Sequence, residues 1–236
     1  SHTLSATALG GAVAFAITGD AATLADNTLT AVQAGTVTIT ASQAGNGNYN
    51  PAANVTKTIT VNKATPTVTA WPTLDAVTYG ATLEQALVLV GGTASVEGTF
   101  VITDSYNAAD VPNAGTYTYG VEFRPTESNK YNNVSGGTAT LTVNKANQSI
   151  TWDMGNQSMY VGGQLTLNAT ASSKLGVTYT SSNTSVVTVS GNTLTAVGEG
   201  NATITASQAG NSNYNAAASK SYTVTVSKKD HTITWT

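Results

Sequence analysis

Side chains that could carry acid–base, nucleophilic or metal chemistry are few and scattered in this sequence. The two histidines, His2 and His231, lie at opposite ends of the chain, and cysteine is absent. Asp104 and Asp110, in TDSYNAAD, form the closest group of oxygen ligands, but their spacing favours a solvated turn over a calcium site. Because a catalytic triad or a zinc cluster needs such groups close together, the sequence predicts no catalytic residue, no metal site and no cofactor.

One aromatic residue recurs in a polar setting. The segments GNGNYN, SNKYNN and NSNYN each place a tyrosine among asparagines, at Tyr49, Tyr131 and Tyr214. In one interpretation these rings stack on sugars while the neighbouring amides bond the sugar hydroxyls. In the favoured interpretation each tyrosine is structural, since it recurs in every one of the repeated units described below. It pins the hairpin between the last two strands of its unit against the edge of the expected β-sandwich.

Composition excludes two classes of partner. The chain has 236 residues, of which 9% are charged, a net charge of −3 and Arg124 as its one arginine. Nucleic acids and anionic membrane surfaces require clustered positive charge, so neither is an expected partner. No stretch approaches the roughly 18 continuous apolar residues of a spanning helix, so membrane insertion of this segment is not expected.

The residues named above lie in segments that repeat along the chain and whose pattern predicts β-strands. NTLTAVQAGTVTITASQAGNGNYN, from Asn27, matches NTLTAVGEGNATITASQAGNSNYN, from Asn192, without a gap. The match extends back to TLSATA and TLNATA, which aligns His2 with Leu165 at a position predicted to point inward. Within the repeat, GNATITAS and SYTVTVS alternate apolar and polar residues, as antiparallel strands with one solvated face do.

A divergent unit lies between the two copies. Lys63, Lys145 and Lys228 each close a unit, in VNKA, VNKA and VSKK. Trp71 and Trp152 stand in the opening strands of the second and third units and are predicted to pack on the core. The predicted domains are residues 1–63, which lack an opening strand, residues 64–145, residues 146–228, and residues 229–236 as the first strand of a further unit.

Two segments resemble known domains. GVTYTSSNTSVVTVSGNTLTAVGEGNATITA, residues 176–206, resembles the group 2 bacterial immunoglobulin-like domain, and the first unit departs from that pattern at AFAITGDAATLAD. The middle unit resembles another bacterial immunoglobulin-like repeat, with Tyr79-Gly80 early and NAGTY later. The resemblance implies an all-β fold, a tandem of seven-stranded Greek-key sandwiches of about 80–100 residues each, arranged end to end as an elongated rod. Regular spacing of short alternating strands favours the same class.

The expected function follows from this architecture. A low-charge, threonine- and asparagine-rich tandem of such domains fits a non-catalytic, structural or adhesive region of a bacterial surface stalk, adhesin or filament. The expected location is extracellular, at the cell surface or secreted, with a surface glycan or a host protein as partner. The alternative is a carbohydrate-binding or spacer module of a secreted glycan-degrading enzyme, which exposed coplanar aromatics would favour.

The mismatched ends raise a sharper hypothesis. The tail HTITWT aligns Ile233 and Trp235 with Ile150 and Trp152 of the third unit, while the first unit has no such strand. One interpretation is that His231, Ile233 and Trp235 of one molecule complete the first unit of the next, so that the partner is a second copy and the assembly is an open fibre. A fragment cut from a longer array has the same ends, and this second interpretation is favoured.

Overall fold

The computed structural model describes residues 1–235, whose regular secondary structure is β-strand apart from one short helix. Residues 1–63, 64–145 and 146–228 are called the first, the middle and the third repeat. The boundaries between these repeats stay a prediction. The described chain divides into two compact units. The first unit contains Ser1–Asp75, Leu87–Ser105 and Thr118–Thr140, and the second contains Ala76–Ala86, Tyr106–Tyr117 and the residues from Leu141 onward.

The first repeat contains six strands in two sheets. They are β1 His2–Thr3, β2 Ala14–Thr18, β3 Ala22–Ala25, β4 Thr28–Ala31, β5 Gly35–Gln43 and β6 Ala52–Val61. One sheet has the order β2-β5-β6 and the other β1-β4-β3. Strand β6 pairs antiparallel with β5 along its length, and its other side carries no strand among the described residues.

The middle repeat carries a four-stranded sheet and two small ladders. Its elements are β7 Val68–Ala70, β8 Thr73–Leu74, β9 Val77–Thr78, α1 Leu83–Ala86, β10 Leu89–Val90, β11 Thr93–Ala94, β12 Gly98–Ile102, β13 Gly115–Pro125 and β14 Val134–Asn144. The large sheet has the order β12-β13-β14-β9, in which β9 runs parallel to β14. The pairs β8/β10 and β7/β11 are antiparallel.

The third repeat is the most complete sandwich. Its strands are β15 Ile150–Thr151, β16 Gln157–Tyr160, β17 Gln164–Thr166, β18 Thr170–Ala171, β19 Thr178–Ser181, β20 Val187–Ser190, β21 Thr193–Ala196, β22 Gly200–Ser207 and β23 Lys220–Ser227. The sheet β16-β23-β22-β19 faces the sheet β17-β21-β20, and β15 pairs with β18. This two-sheet arrangement is immunoglobulin-like, so the predicted all-β fold class is confirmed.

Burial follows the alternation read from the sequence. In β22 the residues Ala202, Ile204 and Ala206 are buried and the threonines between them are not, because successive side chains of a strand point to opposite faces. The third repeat has a large core around Trp152, whereas the buried cluster of the first repeat is limited to Ala22, Leu29, Val37 and Ile39. The two copies of one sequence therefore bury different amounts of apolar surface.

In the first compact unit, Trp71 packs directly over Gly137. A β-carbon built on Gly137 would lie 2.0 Å from Cε3 of Trp71, so no larger residue fits without displacing the indole. The Trp71 ring meets Phe100 edge-on with 5.9 Å between ring centroids, and Phe100 in turn contacts Phe123. Trp71 is half-buried, and its packing on the core agrees with the prediction for the opening strand.

Replacement of Gly137 by alanine is therefore expected to destabilise the middle repeat. Overpacking of this kind lowers the free energy of unfolding by about 1–3 kcal/mol, because Trp71 must leave its preferred position. Gly176→Ala is the matched control, since a β-carbon there meets no atom within 4 Å. Urea unfolding followed by tryptophan fluorescence measures both variants, and equal midpoints would contradict the close packing of Trp71 on Gly137.

Candidate strand-acceptor groove and its donor segment

The third repeat shows what an opening strand contributes. Strand β15 pairs Ile150 with Ala171. Trp152, the residue that follows this strand, is only 1% exposed. The Trp152 ring lies between Tyr179 and Tyr222, with centroid distances of 5.6 and 5.0 Å. The Tyr222 hydroxyl also donates a hydrogen bond of 2.7 Å to the Trp152 carbonyl. One strand therefore supplies the largest side chain of the core.

The segment after Trp152 covers the last strand of the same repeat. Strand β16 runs parallel to β23, with Gln157 opposite Val224 and Met159 opposite Val226. Val224 and Val226 of β23 face the core of this repeat and are buried. Asn156 contributes one further contact, because its side-chain oxygen accepts a hydrogen bond from the Thr223 backbone N–H at 3.0 Å. The edge of β23 is thereby closed to a further strand.

The first repeat has the same framework without these two strands. His2 pairs with Leu29 as Leu165 pairs with Leu194, so the alignment of the two copies is confirmed by register. His2 lies opposite the buried Leu29, on the face predicted to point inward, but its side chain is exposed. Nothing among the described residues of the first repeat corresponds to β15 or β16. His2 is exposed because no element of the described chain covers this end of its sheet.

An apolar groove of about 320 Å³ lies where the opening strand would pack. Its wall includes Phe15, which pairs with Ala41 as Tyr179 pairs with Ala206. The groove is lined by His2, Thr3, Leu4, Ser5, Ala6, Phe15, Ile39, Ala41, Val55, Lys57 and Ile59. We call the space that Trp152 fills in the third repeat the Trp152 socket. By its register the groove of the first repeat is the counterpart of this socket, and we call it the acceptor groove.

Two substitutions distinguish the acceptor groove from the Trp152 socket. Phe15 takes the place of Tyr179. Lys57 takes the place of Tyr222, since Lys57 lies opposite Ile39 as Tyr222 lies opposite Ile204. Lys57 offers an aliphatic stem and an ammonium in place of an aromatic ring, and such a cation can lie against an indole face. Lys57 aligns with Tyr222 at the 165-residue offset between the copies, whereas Phe15 corresponds to Tyr179 only through the register of their strands.

A second depression of about 230 Å³ shares Ala6, Ala41 and Val55 with the acceptor groove. It contains Ala8, the counterpart of Ala171, against which Ile150 is paired in the third repeat. Residues 7 and 8 form no strand, whereas their counterparts form β18. The first repeat therefore offers adjoining places for an isoleucine and for a tryptophan two residues later.

The polar end of this region contains Gln43. Its side-chain nitrogen donates to the Gly10 carbonyl at 2.6 Å, and its oxygen accepts from the Gly45 N–H at 2.9 Å. In the third repeat the equivalent Gln208 accepts the corresponding bond from Gly210 N–H and a further one from the Gln148 side chain. Gln148 occupies the position that aligns with His231 of the tail, so the donor residue has a polar neighbourhood to enter.

The residues predicted to be donated are free of packing in the chain. Ile233 and Trp235 are 90% and 95% exposed, and His231 is exposed as well. Residues 228–235 adopt no strand, and Thr236, the last residue of the predicted strand, lies outside the described residues. The assignment of residues 229–236 to a further unit stays a prediction.

The asparagine–tyrosine loops have a definite position in the structure. Ala146 N–H donates to the Asn213 carbonyl, and Asn215 N–H donates to the Ala146 carbonyl, both at 2.9 Å. Ala64 makes the same pair of bonds with residues 130 and 132, on either side of Tyr131. Each of these loops thus holds the residue that follows the closing lysine, rather than only the last hairpin. The predicted glycan stacking by Tyr49, Tyr131 and Tyr214 stays a prediction.

The acidic residues have local roles. Asp104 accepts a hydrogen bond from the Gly120 N–H, and the Asp110 backbone carbonyl accepts one from Leu83 N–H at 2.8 Å. Within residues 1–235 no three His, Cys, Asp or Glu side chains come close enough to hold a metal ion. No helix in the same range is long and apolar enough to cross a membrane.

Two exposed ion pairs shift pKa values. A hydrogen bond from Arg124 lowers the pKa of Glu122, and a hydrogen bond to Glu127 raises the pKa of Lys130. The contribution of Glu122 to stability is therefore lost as pH falls through its lowered pKa, and that of Lys130 is lost as pH rises through its raised pKa. Both effects are small because the pairs are solvated, and both shifts move the pKa values away from neutrality.

Comparison with known proteins finds no matching family model and no matching curated protein. Among solved structures, a Drosophila N-cadherin EC1-4 fragment has 12% identity, a TM-score of 0.38 and alignment over 93% of this chain and 66% of that one. Sidekick-1 immunoglobulin domains 1–4 have 12% identity and a TM-score of 0.35 over 92% and 68%. Fibronectin(III)-like modules of Clostridium thermocellum CbhA have 13% identity and a TM-score of 0.30 over 72% and 100%. Likenesses this distant assign no function.

Proposed function

We propose that the chain is a non-catalytic, structural or adhesive repeat region of an extracellular bacterial stalk, adhesin or filament, and that copies join head to tail by strand donation. The observation that carries this proposal is the match between two open features. The first repeat has adjoining places for an isoleucine and a tryptophan, and the tail exposes Ile233 and Trp235 at the same spacing as Ile150 and Trp152.

The third repeat defines the register of the donated strand. Ile233 of one copy lies opposite Ala8 of the next, as Ile150 lies opposite Ala171. Trp235 then enters the acceptor groove beside Phe15 and Lys57. Because the donor and acceptor surfaces are different parts of the chain, the contact is heterologous and each added copy leaves a new donor and a new acceptor free. Such a contact builds an open filament.

The strength of the tail contact can be bounded. Burial of an isoleucine and a tryptophan contributes roughly 5–8 kcal/mol. Ordering six residues costs roughly 6–12 kcal/mol, which main-chain hydrogen bonds to the acceptor strand only partly offset. Association itself costs about 4 kcal/mol or more. These costs match or exceed the gain, so the tail alone gives weak association at most, and stable filaments need a second contact between copies.

Sedimentation velocity over a concentration range up to about 1 mM tests the proposal, because weak contacts are populated only at high concentration. The full chain is expected to show oligomers that grow with concentration. A chain ending at Lys228 and the single variant Trp235→Ala are expected to remain monomeric over the same range. Monomers of the full chain at every concentration, or equal association of all three proteins, would contradict strand donation.

A further inference from the structure

The contacts of the asparagine–tyrosine loops show how one repeat meets the next. Within the first compact unit, Ala34 N–H donates to the Asn129 carbonyl at 2.9 Å. The Asn129 side chain also donates to the Gln33 side-chain oxygen at 2.7 Å. Tyr131 and Lys130 border a depression whose other wall includes Val32. The loop of the middle repeat thus seats on the end of the first repeat.

The second compact unit contains an equivalent contact. Ala114 N–H donates to the Asn213 side-chain oxygen, and the Asn213 amide donates to Asn113, both at 2.9 Å. The Tyr214 ring meets Tyr79 edge-on with 5.4 Å between centroids. Lys145 also donates to the Asn211 carbonyl at 2.8 Å. In both units, therefore, the residue before a strand-opening glycine donates its N–H to the loop of the following repeat.

The third repeat presents the same end surface without a loop upon it. Glu199 precedes Gly200 as Ala34 precedes Gly35, and Val197 corresponds to Val32. Val161 takes the place of Tyr79, since each donates its N–H to the carbonyl of the residue before a closing lysine. Val161 and Val197 are both exposed. Val197 repeats Val32, whereas Glu199 replaces the alanine of the other two ends and is ion-paired with Lys228 at 3.0 Å.

The remaining loop of this type is also uncovered. Asn46 accepts hydrogen bonds from the Asn48 and Tyr49 N–H groups, as Asn211 does from Asn213 and Tyr214, so the two loops have the same shape. Tyr49 is 50% exposed, and none of the described residues packs its ring edge-on as Tyr79 does for Tyr214. Within residues 1–235, one loop of this type and one end surface are therefore uncovered.

We propose that these two surfaces meet between copies, so that the Tyr49 loop of one copy seats on Val161, Val197 and Glu199 of the copy that donates its tail. This inference rests on the proposed strand donation and supplies the second contact that the weak tail requires. In this arrangement Lys229 takes the place of Ala64 and Ala146, because it also follows a closing lysine, and its backbone bonds the loop on either side of Tyr49. The contact between copies thereby repeats the contact between repeats.

A cysteine pair tests the predicted proximity directly, since the native chain has no cysteine. Gly47 corresponds to Asn129 and Glu199 to Ala34, whose backbone atoms are hydrogen-bonded at 2.9 Å. Gly47 tolerates a side chain, because a β-carbon there meets no atom within 4 Å. The double variant Gly47→Cys with Glu199→Cys is expected to form disulfide-linked dimers and longer chains on mild oxidation. The pair Gly47→Cys with Glu84→Cys is the control and is expected to form no disulfide-linked species.

A second pair of measurements separates this contact from tail donation. Tyr49→Ser is expected to weaken association of full-length copies at least tenfold. Binding of a synthetic peptide of residues 230–236 to the chain ending at Lys228 is expected to be unchanged by the same substitution. The peptide lacks Lys229 and the end surface, so it probes the acceptor groove alone.

The outcomes are distinguishable. Peptide binding together with no specific cross-link and no effect of Tyr49→Ser would overturn the end-to-end contact and leave strand donation intact. Absence of both peptide binding and self-association would overturn the proposed function itself. Equal cross-linking by the control pair would also overturn the end-to-end contact, because proximity would then not be specific to Glu199.

Discussion

A copy of residues 145–163 placed directly before Ser1 is expected to keep the chain monomeric at concentrations at which the unmodified chain associates. Residues 145–163 contain β15 and β16. Because Ser1 aligns with Gln164, the added segment leads into β1 as the original leads into β17. Tethering gives the segment an effective concentration on the order of millimolar at its groove. A free tail has no such tether and lacks the counterpart of β16, so the grafted segment displaces it.

The same graft is expected to stabilise the first repeat. It places a tryptophan in the acceptor groove and a strand beside β6, which is mostly exposed in the present chain although its counterpart β23 is well buried at Val224 and Val226. Filling a socket of this size is expected to raise the free energy of unfolding of the first repeat by about 3–5 kcal/mol, by analogy with the cost of deleting such a side chain.

Hydrogen exchange of β5 and sedimentation velocity measure the two effects of the graft. The matched control carries alanine in the graft at the positions copied from Ile150 and Trp152, so that its length and linker are unchanged. The control is expected to associate like the unmodified chain. Association of the intact graft at the unmodified level would show that the acceptor groove is not where copies meet.

The second large effect is expected from Trp152→Ala. The Trp152 side chain is buried between Tyr179 and Tyr222, and its removal leaves a cavity that these rings cannot fill without leaving their own contacts. Deletion of a buried tryptophan lowers the free energy of unfolding by about 3–5 kcal/mol. The Tyr222 hydroxyl keeps its backbone partner at residue 152, so the loss reflects packing rather than that hydrogen bond.

Native-state hydrogen exchange of β22, which lies at the centre of the third repeat, reports this loss without assuming that all repeats unfold together. Trp235→Ala provides a matched control, since it makes the same chemical change at a side chain that is 95% exposed. At concentrations where the chain is monomeric, the control is expected to change stability by less than about 0.5 kcal/mol. Similar exchange in the two variants would contradict the role of Trp152 in the core.

The local features of this chain were predictable from its sequence. The alternation in GNATITAS set which residues of β22 are buried, and the backward extension of the match between the copies set the register of β1 on β4. Both are short-range properties, because a strand exposes alternate residues whatever its partner and identical segments fold alike. The candidate donors Ile233 and Trp235 followed from the same match.

Other features depended on which distant segments meet. Lys57 and Phe15 became walls of a groove only because β6 and β2 flank β5, and His2 became exposed because no strand covers the end of its sheet. The asparagine–tyrosine loops bond the first residue of their own repeat and also the end of the preceding one, a role that their composition did not predict. Such contacts join residues up to 100 positions apart, as between Asn113 and Asn213. The sequence by itself therefore determined the strands and their repetition, whereas the tertiary structure decided which surfaces are left uncovered, because burial depends on the neighbours that the chain brings together.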